Sequence, residues 1–153
     1  PRPSLRARDD VLRRRARHRD DHRPGDRMKQ ADPKTFESLR DISPHALREG
    51  IRARTVEGER VSMAVVELDP DAVSPEHHHE NEQLGFVITG IITMTIGGEK
   101  RELHPGDTYT IPSDVPHEAV AGKDGCTVVD VFVPVRADWK KLDRLAPAKP
   151  DWP

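Results

Sequence analysis

The chain has 153 residues, with 25 Lys and Arg, 27 Asp and Glu, and a net charge of -2, which is enough for one domain with a proper core. Ten basic residues against five acidic ones fall in the first 27 positions, leaving 15 against 22 from Met28 onward and a charge of -7 there; a basic nucleic-acid-binding domain is therefore not indicated. The single cysteine, Cys126, excludes an internal disulfide and fits a reducing compartment, and with no apolar leader or membrane-length run the expected location is cytoplasmic, with no membrane partner.

Residues 1–27 are almost without apolar side chains, and nothing in them would offset the entropy of ordering, so they are predicted to be disordered. They read as a solvated tail or as sequence upstream of a start at Met28, the functional alternative being a basic arm that touches an acidic surface. Residues 28–139 are the predicted domain and 140–153 a short C-terminal tail. From Thr35 to Glu49 the chain reads as irregular, with one helical turn that Ser43-Pro44 can start and Gly50 can end; His45 is placed on the surface. Strand-like runs follow at Ile51 to Thr55, Arg60 to Leu68, Val73 to His79, Leu84 to Ile88, Ile91 to Ile96, Lys100 to Leu103, Thr108 to Ile111, His117 to Ala121 and Thr127 to Val133. Gly90 marks a bend and Gly97-Gly98 a hairpin turn. Cys126 follows a turn region at Gly122–Gly125 and is expected at a surface or edge. A short helix is expected near Trp139 to Leu145, with Trp139 and Trp152 as packing anchors. Many short strands with close turn signals and no long amphipathic helix predict an all-β sandwich or barrel.

The richest stretch in this frame is His77-His78-His79-Glu80-Asn81-Glu82-Gln83. Imidazole suits borderline divalent metals, and strand parity turns His77 and His79 one way and His78 the other. On a continuous strand Gln83 would lie roughly 13 Å beyond His79, too far to share an ion. The polar run between them must therefore turn the chain and return it beside the first strand if Gln83 is a ligand. His117 offers a fourth ligand, which gives a His77, His79, Gln83, His117 site for one divalent ion (Ni, Zn, Mn or Fe); the alternative for Gln83 is an amide that orients a histidine. His78 and His104 read as outward-facing.

The spacing His77-x-His79, three residues to Gln83, six to Gly90, resembles the first motif of the cupins. Gly106, five residues to Pro112, then Pro116-His117 resembles the second. The resemblance implies a single cupin β-barrel, the double-stranded β-helix or jelly-roll form. The sequence departs from the pattern at four places. Asp71 stands where motif one begins with Gly, Asp114 replaces the Gly before Val115, Ala121 replaces an Asn, and Gln83 replaces the usual glutamate. A neutral amide leaves a bound ion a stronger Lewis acid and removes the anionic ligand of the oxygenase pattern.

The first motif together with Asp130-Val-Phe132-Val-Pro-Val-Arg136 is similar to the KdgF-type cupins, which convert 4,5-unsaturated uronates into 5-keto-4-deoxyuronates. That similarity implies metal ligands at His77, His79, Gln83 and His117, an acid/base at Asp130, a pocket aromatic at Phe132, and a substrate-contacting arginine at Arg136. Asp130, Phe132 and Val128 share strand parity. The bland alternatives are a satisfied polar group for Asp130, an ion pair with Asp138 or Glu118 for Arg136, and core for Phe132. Three classes stay open: uronate ring opening, another metallo-cupin such as an oxygenase or isomerase, and a non-catalytic sugar- or effector-binding barrel. The expected partner is a small polar or sugar-acid substrate, and exposed strand edges with the terminal Trp residues make a homodimer the expected assembly.

Overall fold

Val- and Ile-rich runs with a period of two turn this sequence into sheet. The computed structural model describes residues 35–153; the arm expected over 1–27 lies outside them. Eight antiparallel strands follow one another: β1 (His45–Arg48), β2 (Ile51–Glu57), β3 (Ser62–Leu68), β4 (Val73–His77), β5 (Glu82–Ile96), β6 (Glu99–Leu103), β7 (Thr108–Ile111) and β8 (His117–Val133). Helix among the described residues is limited to 3-10 turns at Leu39–Asp41 and Ala137–Lys141. Strand order is β1-β2-β3-β8-β5-β6, with β4 added on β8 and β7 on β5. The architecture is the all-β jelly roll that the strand pattern and the motif resemblance imply.

Strands β5 and β8 carry it. The sequence reads as two strands in each, but the structure joins them into single bent strands of 15 and 17 residues. The first part of β8 pairs with β4 and the end of β5, while its second part pairs with β3 and the start of β5. The ladder survives its bends through register shifts between Val87 and Thr89 and between Gly90 and Ile92, because a bulge redirects a strand without ending it. Gly90 has φ +75°, and a Cβ there would strike the Gly125 carbonyl oxygen, so only glycine fits this corner.

Inward positions alternate along the strands and form the core: Ala64, Val66 and Leu68 on β3, Val87 on β5, Ile111 on β7 and Val128 on β8. Cys126 belongs with them at 6 % exposure, not at the surface or edge where the sequence put it. The continuity of β8 sets it opposite Leu68, and burial pushes its thiol up to about 12. His45 is likewise buried, at 2 % exposure. The segment expected to hold a helical turn is instead strand β1, pinned between β2 and the C-terminal segment by pairing with Ala53 and Arg144. Tertiary pairing overrides the local Ser-Pro signal there. Burial, then the Arg144 charge, holds the His45 ring below its usual range.

Two departures from the cupin pattern have a conformational reading. Asp71 and Asp114 are the non-glycine residues with positive φ among the described residues, at 59° and 60°. Both stand where the pattern has glycine, and aspartate is among the few residues that tolerate left-handed backbone.

The C-terminal segment lies against the outer side of β2 and β3. Arg54 donates to the Ala148 carbonyl at 2.8 Å, and the Asp151 N–H donates to Glu67 at 2.6 Å. Glu67 is buried with Arg54 at 2.7 Å, while Arg52 approaches the same carboxylate at 2.9 Å. Removing one partner of a buried pair leaves an uncompensated charge. Glu67→Ala is therefore expected to cost about 3–5 kcal/mol in urea unfolding. Asp69→Ala, which removes the exposed end of the same network, should cost under about 1 kcal/mol. Equal losses would refute the distinction.

Candidate functional site

β4 ends where β8 begins, with His77 and His117 as register partners. His79 lies two residues past the end of β4, so strand parity does not position it. The Asp114 N–H donates to its carbonyl at 2.8 Å, and its own ring is pinned to the Asn81 carbonyl. The three rings converge, with centroids 4.3 Å apart for His77 and His117, 4.9 Å for His79 and His117, and 5.8 Å for His77 and His79. One nitrogen from each lies within 4.8 Å of the others.

Each ring is oriented in the same way. Nδ1 of His77, His79 and His117 meets the carbonyl of Pro75, Asn81 and Val115 at 2.8, 2.9 and 2.8 Å. A carbonyl only accepts, so these contacts put the proton on Nδ1 and leave the Nε2 lone pair for a ligand. Nε2 of His79 is buried without a hydrogen-bond partner of good geometry, although Gln83 stands close enough to affect its titration. Burial is the main force holding both His79 and His117 below their usual range, His117 at about 4, with the neighbouring rings and Arg136 adding to it. Three oriented imidazoles, with one acceptor lacking a hydrogen-bond partner among the described residues, form a donor set that fits a divalent metal.

The Glu80–Glu82 turn does bring Gln83 into this group, but by a different route from the one the sequence suggests. The chain pairs Gln83 with Ile111 of β7 and Phe132 of β8, not with β4, because β8 already occupies that edge. Asn81, which sequence reasoning missed, ties the turn down by donating to the Pro134 carbonyl at 2.6 Å. His78 and His104 point outward, beside Asp114 and Glu102.

Beyond the histidines, Asp130, Phe132 and Val128 line one cavity of about 360 Å3 with His77, His79 and Gln83, as their shared parity requires. Asp130 is buried, and that burial pushes its carboxyl up to about 6 against the opposing pull of Tyr109, Gln83 and Arg136. Tyr109 donates to Asp130 Oδ1 at 2.6 Å. Sequence reasoning did not single it out, although its parity in Thr108–Ile111 directs it inward. Arg136 also lines the cavity. Its guanidinium stacks 4.9 Å from the Phe132 centroid and 4.4 Å from that of Trp139. Its Nε and Nη2 are held by Asp138 at 3.0 and 2.8 Å, which leaves Nη1 without a partner among the described residues. Of the two ion pairs considered for Arg136, the one with Asp138 forms, and Glu118 instead accepts from Thr95 at 3.1 Å. Phe132 is both core and cavity wall, at 1 % exposure.

A family model described as "Cupin domain" matches residues 64–132. The pectin degradation protein KdgF of Dickeya dadantii (strain 3937) is 30% identical over 95 residues, covering 61% of this chain and 86% of that protein. The chain belongs to the cupin family. Among solved structures, this cupin is similar to KdgF from Halomonas sp., with a TM-score of 0.63 and 32% identity over 67% of this chain and 96% of that one. An RmlC-like cupin from Shewanella frigidimarina NCIMB 400 shares the fold, with a TM-score of 0.64 and 23% identity over 72% and 98% of the two chains.

The environment of Asp130 carries a stability signature. Its carboxyl rises from 3.8 to about 6 on folding, so between those values the folded chain binds the proton more tightly than the unfolded one. This group therefore destabilises the cupin above about pH 6, and that penalty is relieved as pH falls toward 4. In metal-free protein, Asp130→Asn is expected to be more stable than wild type at pH 7 by up to about 3 kcal/mol, the gain shrinking toward pH 4. A stability difference that does not change between those pH values would contradict the buried-carboxyl assignment.

Proposed function

We propose that this cupin opens and tautomerises 4,5-unsaturated uronates to 5-keto-4-deoxyuronates, as a metal-dependent enzyme acting on a small sugar acid. The observation that carries the reading is the convergence, in one cavity, of three Nε2-presenting histidines, a buried carboxyl raised to about 6 and an arginine with one nitrogen unengaged among the described residues. The similarity to the KdgF proteins, one of them described as a pectin degradation protein, supports it.

In this reading His77, His79 and His117 hold one divalent ion, with Gln83 as the fourth protein ligand. When bound, the ion supplies Lewis-acid stabilisation of negative charge developing on substrate oxygen. The remaining work belongs to the chain. Arg136 Nη1 holds the substrate carboxylate, its orientation fixed by Asp138 and by the Phe132 and Trp139 rings. Phe132 walls the ring of the sugar. Asp130 takes the proton of the C1 hydroxyl as the bond from C1 to the ring oxygen breaks, leaving an aldehyde at C1 and an enolate at C5. The same carboxyl then returns a proton to C4 as the C5 ketone forms, so the reaction is an isomerisation with no atom gained or lost. A carboxyl at about 6 is matched to accepting and returning a proton near neutral pH.

The test uses protein reconstituted separately with nickel, zinc, manganese and ferrous iron, and a lyase-generated unsaturated monouronate followed through its vinylic proton by NMR. Turnover above the spontaneous rate is expected with at least one ion. Chelation and Asp130→Asn should each return the rate to background, with Asp130→Asn still retaining metal by elemental analysis. His117→Ala should lose the metal itself. No acceleration with any ion would sink the uronate reading.

A further inference from the structure

We infer that Tyr109 is the positioning residue of this site: its hydroxyl pins Oδ1 of Asp130, so that Oδ2 alone takes and returns the substrate proton. The proton being handled is that of the uronate reading, on which this inference rests; the pinning itself is read from the sheet.

β5 runs between β7 and β8, and Gly85 faces Tyr109 on one side and Asp130 on the other in direct register. Three inward positions on neighbouring strands thus form one row, consisting of a phenol, an empty position and a carboxylate. A Cβ at Gly85 would collide with the Tyr109 ring and with Asp130 Oδ1. The ring fills the space that this missing side chain leaves, which is how the hydroxyl reaches across the central strand to donate at 2.6 Å. Tyr109 and Asp130 are both buried, at 7 % and 6 % exposure, so bulk water does not compete freely for the bond.

A carboxylate turns about a broad, two-fold torsion and would otherwise present either oxygen. The Tyr109 bond removes that freedom: Oδ1 is held by the Tyr109 hydroxyl, and the proton-handling oxygen is Oδ2. A single acid oxygen in a fixed place delivers its proton to one face of C4. Gly85 is then the position that permits the arrangement, and any side chain there would separate the pair.

Tyr109→Phe keeps the ring and deletes the hydroxyl. Loss of a hydrogen bond to a charged group corresponds to a fall in kcat of roughly 10- to 100-fold, with KM within about twofold and metal content unchanged. In heavy water, wild type should deuterate one face of C4 at early times by NMR, and Tyr109→Phe should deuterate both. Tyr109→Phe combined with Asp130→Asn should be no worse than Asp130→Asn alone, and Gly85→Ala should reproduce the loss without adding to it. Wild-type kcat with single-faced labelling in Tyr109→Phe would overturn the inference, as would loss of metal along with kcat, which would assign the ring to packing. If wild type itself does not turn over the uronate, that reading fails separately. The pair is then judged on metal-free protein by the urea unfolding midpoints of the two single variants and the double variant, where non-additive shifts uphold the pinning and additive shifts overturn it.

Discussion

The ladder between β5 and β8 is the constraint on which the rest of the structure depends. Its pairing, Gln83 to Phe132 and Gly85 to Asp130 at one end and, across two register shifts, Ile96 to His117 at the other, fixes the amide, the carboxyl, the aromatic wall and one histidine relative to each other. A slip of one residue would turn every one of these side chains to the outer face. The register holds because both strands pass the corner at Gly90 without a break, and because β3 and β7 close on the flanks of the same ladder. Histidine and aspartate positions far apart in the chain are therefore set by backbone hydrogen bonds, not by contacts they make with each other.

Burial then acts on these groups in opposite senses with a common result. Desolvation disfavours the charged form of any group. It holds the His79 and His117 rings neutral and raises the Asp130 carboxyl to about 6. Neutral rings are what a metal needs, and a carboxyl near neutrality is what reversible proton transfer needs. The cost is borne by the fold, because an aspartate buried in this way opposes stability whenever it is ionised. The Glu67 cluster on the outer side shows the contrasting arrangement, a buried carboxylate surrounded by two arginines and a backbone N–H, where the charge is paired.

What the sequence made legible follows from which signals are local. All nine strand-like runs fall within or across a real strand, and the His-x-His spacing with its distant His117 identified a cluster that does assemble. Asp130 and Phe132 were legible through the family resemblance, and parity added that they share a face. The joined strands were not, since Gly90 and the Gly122–Gly125 run look like turns until cross-strand partners show that they are bulges. His45 and Cys126 were placed outside for the same reason: their burial comes from the C-terminal segment and from strand continuity, both of which are tertiary. Tyr109 was invisible because its meaning lies in a glycine on another strand. Arg136 lies past the end of β8, where alternation stops; its N–H donates to Ser62 Oγ at 3.0 Å, and no periodic pattern predicts such a bond.

The amide at position 83 is explained by its neighbour as much as by any ligand. Gln83 acts on two groups at once, drawing the Asp130 carboxyl down and the His79 ring up in their titration. A glutamate in its place, the more usual residue of the cupin pattern, would put a second carboxylate near a buried one. Two like charges at that range cannot both ionise in a desolvated cavity, and one of the pair is driven up strongly. The amide avoids this and favours the ionised form of Asp130, working with Tyr109 against desolvation. Glutamine at 83 and an aspartate able to give up its proton near neutrality are therefore one choice made at two positions on adjacent strands.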